Sequence, residues 1–288
     1  MELRVLQYFL TVAREQSISA AAESLHLTQP TLSTQLKALE EEVGKQLMIR
    51  GTKGPRKITL TEDGILLRKR AEEIMALVKK AEEELASPVE TIGGDIHIGA
   101  AETQAMEIIA DLAKQLQEQY PAIHYNIFSS NREAVLDYLD RGLIDFGIVY
   151  GSVEPIKYDF IKVSVNDSWS VMMRSDSPLA QKESIAPEDL WDKPLILSKQ
   201  QSPILKWLKR SNDQLNITAT CNLIYNTTIL VRKHFGYSFT LNPPIGEADL
   251  CTRPLLPKLE AELYIVWKKY QVFSKASEKL LDSFRKNF

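Results

Sequence analysis

The stretch Ser17-Ile18-Ser19-Ala20-Ala21-Ala22-Glu23-Ser24-Leu25-His26-Leu27-Thr28-Gln29-Pro30-Thr31-Leu32-Ser33-Thr34-Gln35-Leu36-Lys37-Ala38-Leu39-Glu40-Glu41-Glu42-Val43 decides how the rest of the chain is read. It parses as two helices around a tight turn. The first covers about residues 19–25, and its run of alanines lets a second helix approach closely. The turn falls at His26-Leu27. Thr28 is a good N-cap, because its hydroxyl can accept from a free backbone N–H. Pro30 falls in the next helical turn, where a missing N–H costs little. In the second helix Leu32, Leu36, Leu39 and Val43 are spaced 4, 3 and 4, which makes one buried stripe. Gln29, Ser33 and Lys37 form a polar row elsewhere on it, with Pro30 and Thr34 alongside.

A helix-turn-helix lays its second helix in the major groove and reads bases near that helix's N-terminus. Glutamine bonds adenine in two places, and serine serves as donor or acceptor. The same polar row would equally suit the solvated face of an ordinary helical hairpin. The flanking sequence therefore has to decide. Upstream, Leu3, Leu6, Phe9, Leu10 and Ala13 lie on one face of a further helix that closes a small core. Downstream, Gly44 to Thr61 carries Lys45, Arg50, Lys53, Arg56 and Lys57 and no acid. Met48-Ile49 and Ile58-Thr59-Leu60 read as two short strands with Gly51, Gly54 and Pro55 between them. That is a β-hairpin with a basic tip, a wing suited to gripping phosphates or entering a minor groove. Alone it would read as a solvated basic loop; after a helix-turn-helix, DNA contact is the better reading.

Thr61-Glu62-Asp63 opens a long helix, with a cap and then acids in the first turn. Leu67, Ala71, Ile74, Val78, Ala81 and Leu85 recur at alternating intervals of 4 and 3, a heptad-type seam. About 25 residues at 1.5 Å each span roughly 37 Å, more than a small neighbouring core covers. Pairing with a second copy is the economical solution, and packing on its own chain is the alternative. Ser87-Pro88 ends the helix and Gly93-Gly94 supplies a joint.

Length and composition set the outer bounds. The 288 residues are enough for two or three domains, and a formal net charge of −3 means that any DNA contact comes from a local patch. Two cysteines, Cys221 and Cys251, stand in no metal or redox spacing, which fits two buried thiols in a reducing cytoplasm. Arg4 and Arg14 interrupt the N-terminal apolar residues, which reads against an export signal. No apolar run approaches the roughly 20 residues of a membrane span.

Residues 1–90 resemble the N-terminal half of a LysR-type transcriptional regulator. The resemblance is carried by Phe9 through Ala13, by Ser19-Ala20-Ala21-Ala22-Glu23-Ser24-Leu25, and by Thr28-Gln29-Pro30-Thr31-Leu32-Ser33 with Gln35-Leu36 and Leu39-Glu40. Leu47 with Arg50, and Leu60-Thr61 with Gly64, complete it. Three features depart from that pattern. Met48 stands where the family usually has Phe, Thr34 where Arg is frequent, and the wing between Arg50 and Leu60 is longer. On this resemblance the DNA-contacting residues are Thr28, Gln29, Pro30, Thr31, Ser33, Thr34, Lys37, Arg50, Lys53, Arg56 and Lys57.

Residues 95–288 alternate strand and helix signals. Ile96 to Ala100, Ile123 to Phe128 and Ile144 to Val149 are strands, with helical faces at Ala105, Met106, Ile109, Ala113 and Leu116 and at Ala134-Val135 with Tyr138-Leu139. This βαβ order implies a parallel sheet covered by helices. The order breaks at two strands, residues 161–165 and 168–173, that have no helix between them. A second series follows: strands at residues 195–197, 217–221, 237–241 and 262–267, helices at about residues 202–210 and 227–233, and a closing helix at residues 274–284. The expected organisation is α/β overall: a winged helix-turn-helix domain (1–61), a linker helix (62–86), a hinge (87–94), and two α/β lobes. The first lobe is 95–161 with 269–288 and the second is 162–268. The resemblance implies the same two-lobed effector domain, similar to periplasmic binding proteins.

Ligands of open α/β sheets bind outside the carboxyl ends of the strands, near helix N-termini that favour an anion. The candidate effector contacts are Ala101, Thr103, Gln104, Ser129, Asn131, Tyr150 and Gly151 in the first lobe. In the second they are Ser198, Gln200, Thr227 and Thr240. Relatives commonly hold effector where Thr103 and Gln104 lie here. Each of these residues could equally be a helix cap or turn. No Walker loop, G-x-G-x-x-G or G-x-S-x-G occurs, the four histidines are scattered, and nothing assembles a nucleophile with its base. The expected protein is a cytoplasmic, non-enzymatic regulator without a cofactor. The resemblance adds a dimer of dimers on interrupted palindromic DNA, a small-molecule effector, and RNA polymerase as partner. An enzyme or transport protein with an ancillary helical domain is the competing class; it lacks a reactive constellation or an export signal.

Overall fold

The computed structural model describes residues 1–50, 57–86, 92–103, 106–164, 167–198, 202–241 and 249–288. Two compact units emerge, residues 1–86 and 87–288. The first unit contains α1 (Leu3–Glu15), α2 (Ile18–Ser24), α3 (Gln29–Val43), β1 (Met48–Arg50), β2 (Ile58–Leu60) and α4 (Glu62–Ala86). Its helix boundaries follow from local chemistry. Gln16 takes a left-handed conformation and closes α1 with its N–H on the Val12 carbonyl. Ser17 then caps α2 by accepting from the Ala20 N–H. Thr28 caps α3, and Gly44, at φ +69°, ends it.

Phe9, Val12, Ala21, Leu32, Leu36, Leu39 and Leu47 are fully buried in one core. The expected stripes run past that core at both ends: Leu3 is 46% and Val43 41% exposed. Both sit in a terminal turn of their helix, where there is too little neighbouring chain to cover them. The wing pairs antiparallel, with Met48 opposite Leu60 and Arg50 opposite Ile58. Gly64 lets α4 start against it: a Cβ there would lie 2.0 Å from the Leu47 carbonyl oxygen. Along α4, Ala71 is fully buried and Leu67 joins the core, but Ile74 and Val78 are half-covered and Leu85 is 86% exposed.

The second unit holds two five-stranded sheets. The first uses β3 (Gly94–Ala100), β4 (Ile123–Ser129), β5 (Phe146–Tyr150), β6 (Tyr158–Val163) and a late strand, β12 (Leu263–Lys268), in the order β4-β3-β5-β12-β6. The other uses β7 (Ser170–Arg174), β8 (Leu195–Leu197), β9 (Ile217–Thr220), β10 (Tyr237–Thr240) and β11 (Leu250–Pro254), in the order β11-β7-β10-β8-β9. Helices α5 (Met106–Gln119), α6 (Arg132–Asp140) and α9 (Lys275–Asn287) belong to the first lobe, α7 (Ser202–Leu208) and α8 (Ile224–Arg232) to the second.

Three features differ from the sequence expectation. The sheets are mixed: β12 runs antiparallel to β5 and β6, and β7 antiparallel to β10. The lobe boundary also moves, because β6 and β12 pair with each other inside the first sheet, so residues 162–163 and 263–268 belong to the first lobe. The chain crosses between the lobes at two short segments that bond to one another, with Ala261 N–H on the Asp167 carbonyl at 2.9 Å and Trp169 N–H on Leu259 at 2.9 Å. Finally, β11 had no sequence signal. It is an edge strand that ends in Pro254, where a missing N–H does no harm to the ladder. Among the described residues no helix is long and apolar enough to cross a membrane, and no cluster of potential metal ligands occurs.

Candidate DNA-reading surface and effector site

The surface of the first unit is built on α3. The buried stripe turns Thr28, Gln29, Pro30, Thr31, Thr34 and Lys37 outward, all exposed, with Ser33 half-buried among them. Several of these groups are already set in place. The Thr28 hydroxyl accepts from the Thr31 N–H at 3.3 Å and shares a 2.7 Å hydrogen bond with the Thr31 hydroxyl. Thr34 donates to the Pro30 carbonyl at 2.9 Å, so its proton is spent within the helix. Lys37 pairs with Glu41 at 3.5 Å, an exposed contact that water weakens and a phosphate could replace. Gln29 accepts from the Ser19 hydroxyl at 3.3 Å, a link between α2 and α3.

The wing is fixed to the same helix. Glu40 of α3 accepts from the Leu47 N–H at 2.7 Å and the Met48 N–H at 3.0 Å, two charge-assisted bonds at the root of β1. Thr61 donates to the Gln46 carbonyl at 2.7 Å, and the Ile58 N–H bonds the Gln16 carbonyl at 2.8 Å. Lys57 is exposed beside the last pair of the ladder. Lys53, Arg56 and the Arg50 side chain lie outside the described residues. Ser19 and Glu40 are functional candidates that the site reading omitted; both stood within the family motif, but their contacts are visible only in three dimensions.

In the second unit the expected effector residues divide. Thr103, beyond β3, and Tyr150, closing β5, meet at 3.1 Å between hydroxyls. The Tyr150 hydroxyl also donates to the carboxylate of Asp167, in the segment that crosses between lobes. Burial, reinforced by that acceptor, holds the Tyr150 phenol above its ordinary pKa, so it stays a neutral donor at physiological pH. Ala101, directly after β3, is half-buried, and Gly151 follows Tyr150 at φ +93°, its N–H on the Glu262 carbonyl at 3.0 Å.

The others have structural employment or stand apart. Asn131 caps α6, accepting from the Ala134 N–H at 3.1 Å. Ser129 is exposed at the end of β4, and Ser198 is half-buried after β8. Thr227 is 6% exposed and donates to the Leu223 carbonyl at 2.9 Å. Its helix starts at Ile224, so Thr227 lies within the helix and not at its open N-terminus. Thr240 is also buried, closing β10. Gln104 and Gln200 lie outside the described residues. Asp167 and Arg132, which donates to the Ser152 carbonyl, were not foreseen; both contacts join residues well separated in sequence. A surface hollow of about 510 Å³ beside β6, bordered by Phe160, Trp267 and Arg285, includes none of the expected residues.

A winged helix-turn-helix with an outward polar row, followed by a two-lobed α/β unit, defines a DNA-binding regulator that responds to a ligand. Comparison with known proteins makes the assignment specific. Residues 3–65 match the bacterial regulatory helix-turn-helix model of the lysR family, and residues 90–288 match the LysR substrate binding domain. The chain is 30% identical over 246 residues to the HTH-type transcriptional regulator BsdA of Bacillus subtilis, covering 83% of each. It is 29% identical over 198 residues to the DNA-binding transcriptional dual regulator OxyR of Escherichia coli, covering 68% of this chain and 63% of that one. The fold matches full-length CbnR complexed with its target DNA at a TM-score of 0.75, with 17% identity over 99% of both chains. The chain belongs to the LysR family of transcriptional regulators.

Proposed function

We propose that this regulator binds interrupted palindromic promoter DNA as a dimer of dimers and releases or remodels that complex when a small molecule occupies its effector unit. The carrying observation is the exposed row from Thr28 to Lys37 on a helix whose Glu40 also anchors the wing. Together they offer base-reading groups and, in Lys37 and Lys57, exposed cations for phosphates. Pairing through α4 is supported by its half-covered Ile74 and Val78 and its exposed Leu77 and Leu85. A second copy would remove that apolar area from water.

The proposed effector is a small anionic molecule. Thr103 and the helix starts after β3 and β4 are the supporting features, being donors at the carboxyl ends of parallel strands. Its binding would shift the lobe arrangement only as far as it favours one arrangement over another. A disulfide signal within one effector unit is a poor alternative. Cys221 follows β9 and Cys251 lies in β11, at opposite edges of the sheet. Four strand spacings, about 19 Å, exceed the reach of a bridge. Both thiols are half-buried, less hidden than the sequence implied. In this reading the protein works in the cytoplasm without catalysis, and RNA polymerase receives the outcome.

A gel-shift titration over rising salt tests the DNA half. Duplex from upstream of the protein's own gene should stay bound at salt concentrations that release random duplex, and both should weaken linearly in log–log form. Identical curves for the two duplexes would sink the reading. For the effector half, a panel of carboxylate metabolites should contain a compound that raises the melting temperature of the full chain.

A further inference from the structure

We propose that Ser19 is a positioning residue for sequence recognition, holding the amide of Gln29 in the orientation that reads a base. The inference rests on the reading that α3 enters the major groove. Ser19 is the second residue of α2, and its hydroxyl lies 3.3 Å from Gln29 Oε1 at the first residue of α3. Its own position is rigid. Ser17 caps the helix two residues earlier, and Ala21 and Ala22 are buried against the core. Gln29 has the opposite character: it is exposed and long, and its side-chain amide has no other hydrogen-bond partner among the described residues.

The donated proton occupies one lone pair of Oε1. The other lone pair and both N–H groups of the amide stay available. That donor–acceptor pair is the pattern a glutamine uses on the N6 and N7 edge of adenine. Ser19 thus removes rotational freedom before DNA arrives, and it fixes which edge of the amide points outward. Without the hydroxyl, the side chain must be ordered on binding, and the amide can turn over to accept where it donated. Ordering one long side chain corresponds to about a five-fold loss of affinity. The loss falls on the base pair that Gln29 reads and not on phosphate contacts.

The experiment is selection from a random duplex library by the full-length protein, its Ser19→Ala, Ser19→Thr and Gln29→Ala variants, and the Ser19→Ala/Gln29→Ala double variant. Ser17, not Ser19, caps α2, so alanine at 19 suits the helix; equal melting temperatures confirm the fold. Wild type should select an inverted half-site. Ser19→Ala should lower discrimination at one base pair per half-site about five-fold, the same base pair that Gln29→Ala flattens. Ser19→Thr should restore it, and the double variant should match Gln29→Ala. A Ser19→Ala profile identical to wild type, or a loss spread evenly over all positions, overturns the assignment of Ser19 alone. A wild-type protein that selects no sequence overturns the regulator reading and this assignment together.

Discussion

The proposed DNA-reading surface and the proposed effector site are built in opposite ways. The first is a single helix with two faces: Leu32, Leu36 and Leu39 fix how it lies, and the proposed reading residues face outward between them. The second gathers Thr103, Tyr150 and Asp167 from segments far apart in sequence, with Asp167 in a crossing between lobes. A surface of the first kind tolerates changes at its tips but depends on the packing beneath. A site of the second kind depends on the relation between strands. Substitutions that strike one unit and spare the other put this contrast to the test.

The largest effects should come from two glycines. A Cβ at Gly64 would lie 2.0 Å from the Leu47 carbonyl oxygen, and one at Gly236 would lie 2.2 Å from that of Pro194, at φ +150°. Neither obstacle is a flexible side chain, so each alanine should cost about 3 kcal/mol or more. In calorimetry of the full chain, Gly64→Ala should lower the transition of residues 1–86 and abolish DNA binding. Gly236→Ala should lower only the transition of the effector unit. If either variant lowered both transitions equally, the two units would be energetically one.

Glu40→Ala comes next. It strands the Leu47 and Met48 N–H groups at the wing root, a loss of about 2 kcal/mol. Glu40→Gln keeps an acceptor and should lose about half as much. Filter binding should show Glu40→Ala weakening specific and random duplex alike, since the proposed role of the wing is to grip phosphates. A selective loss on the specific duplex alone would place Glu40 in base reading instead.

For the effector unit the counterpart is Tyr150→Phe, which breaks the link to Thr103 and Asp167 at a cost of about 1 kcal/mol. Its pH signature has a definite sign. The folded phenol has a pKa above the ordinary 10.0, chiefly through burial. Its stabilising contribution is therefore complete below pH of about 10 and is lost as pH rises toward the folded value. Urea melts of wild type should steepen their decline above that pH, and Tyr150→Phe should remove the extra slope. Parallel curves for the two proteins would mean that the phenol is not held in this way.

The contrast also explains what the sequence disclosed. Helix period and caps are local, so α1 to α4, the outward row and the wing strands follow from spacing and from Thr28 and the basic loop. The errors there are at ends, where Leu3 and Val43 continue a stripe beyond the core. In the second unit the alternation of strands and helices was legible. Which sheet β12 joins was not, because Leu263 to Lys268 reads as a strand without naming its partner. The same holds for the ligand residues. Thr, Ser and Asn mark helix starts whether they cap or bind, and Thr227 proved to be internal only once its helix was seen to begin at Ile224. Asp167 sits between two strand signals and carries no pattern at all.

The smallest prediction compares two caps directly. Thr28 caps α3 and Asn131 caps α6, each accepting from a backbone N–H three residues on. Alanine at either should cost about 1 kcal/mol in its own unit. If caps were only caps, the two variants would differ solely in which transition moves. But Thr28 is exposed at the end of the reading helix, and its hydroxyl also steadies that of Thr31. Thr28→Ala should therefore weaken DNA binding several-fold even under conditions where the variant is fully folded, through lost phosphate positioning. Asn131→Ala should leave DNA affinity unchanged. Thr28→Ser, which keeps the acceptor and the hydroxyl, should recover most of the loss, and failure to recover it would assign the effect to the methyl group and to packing instead.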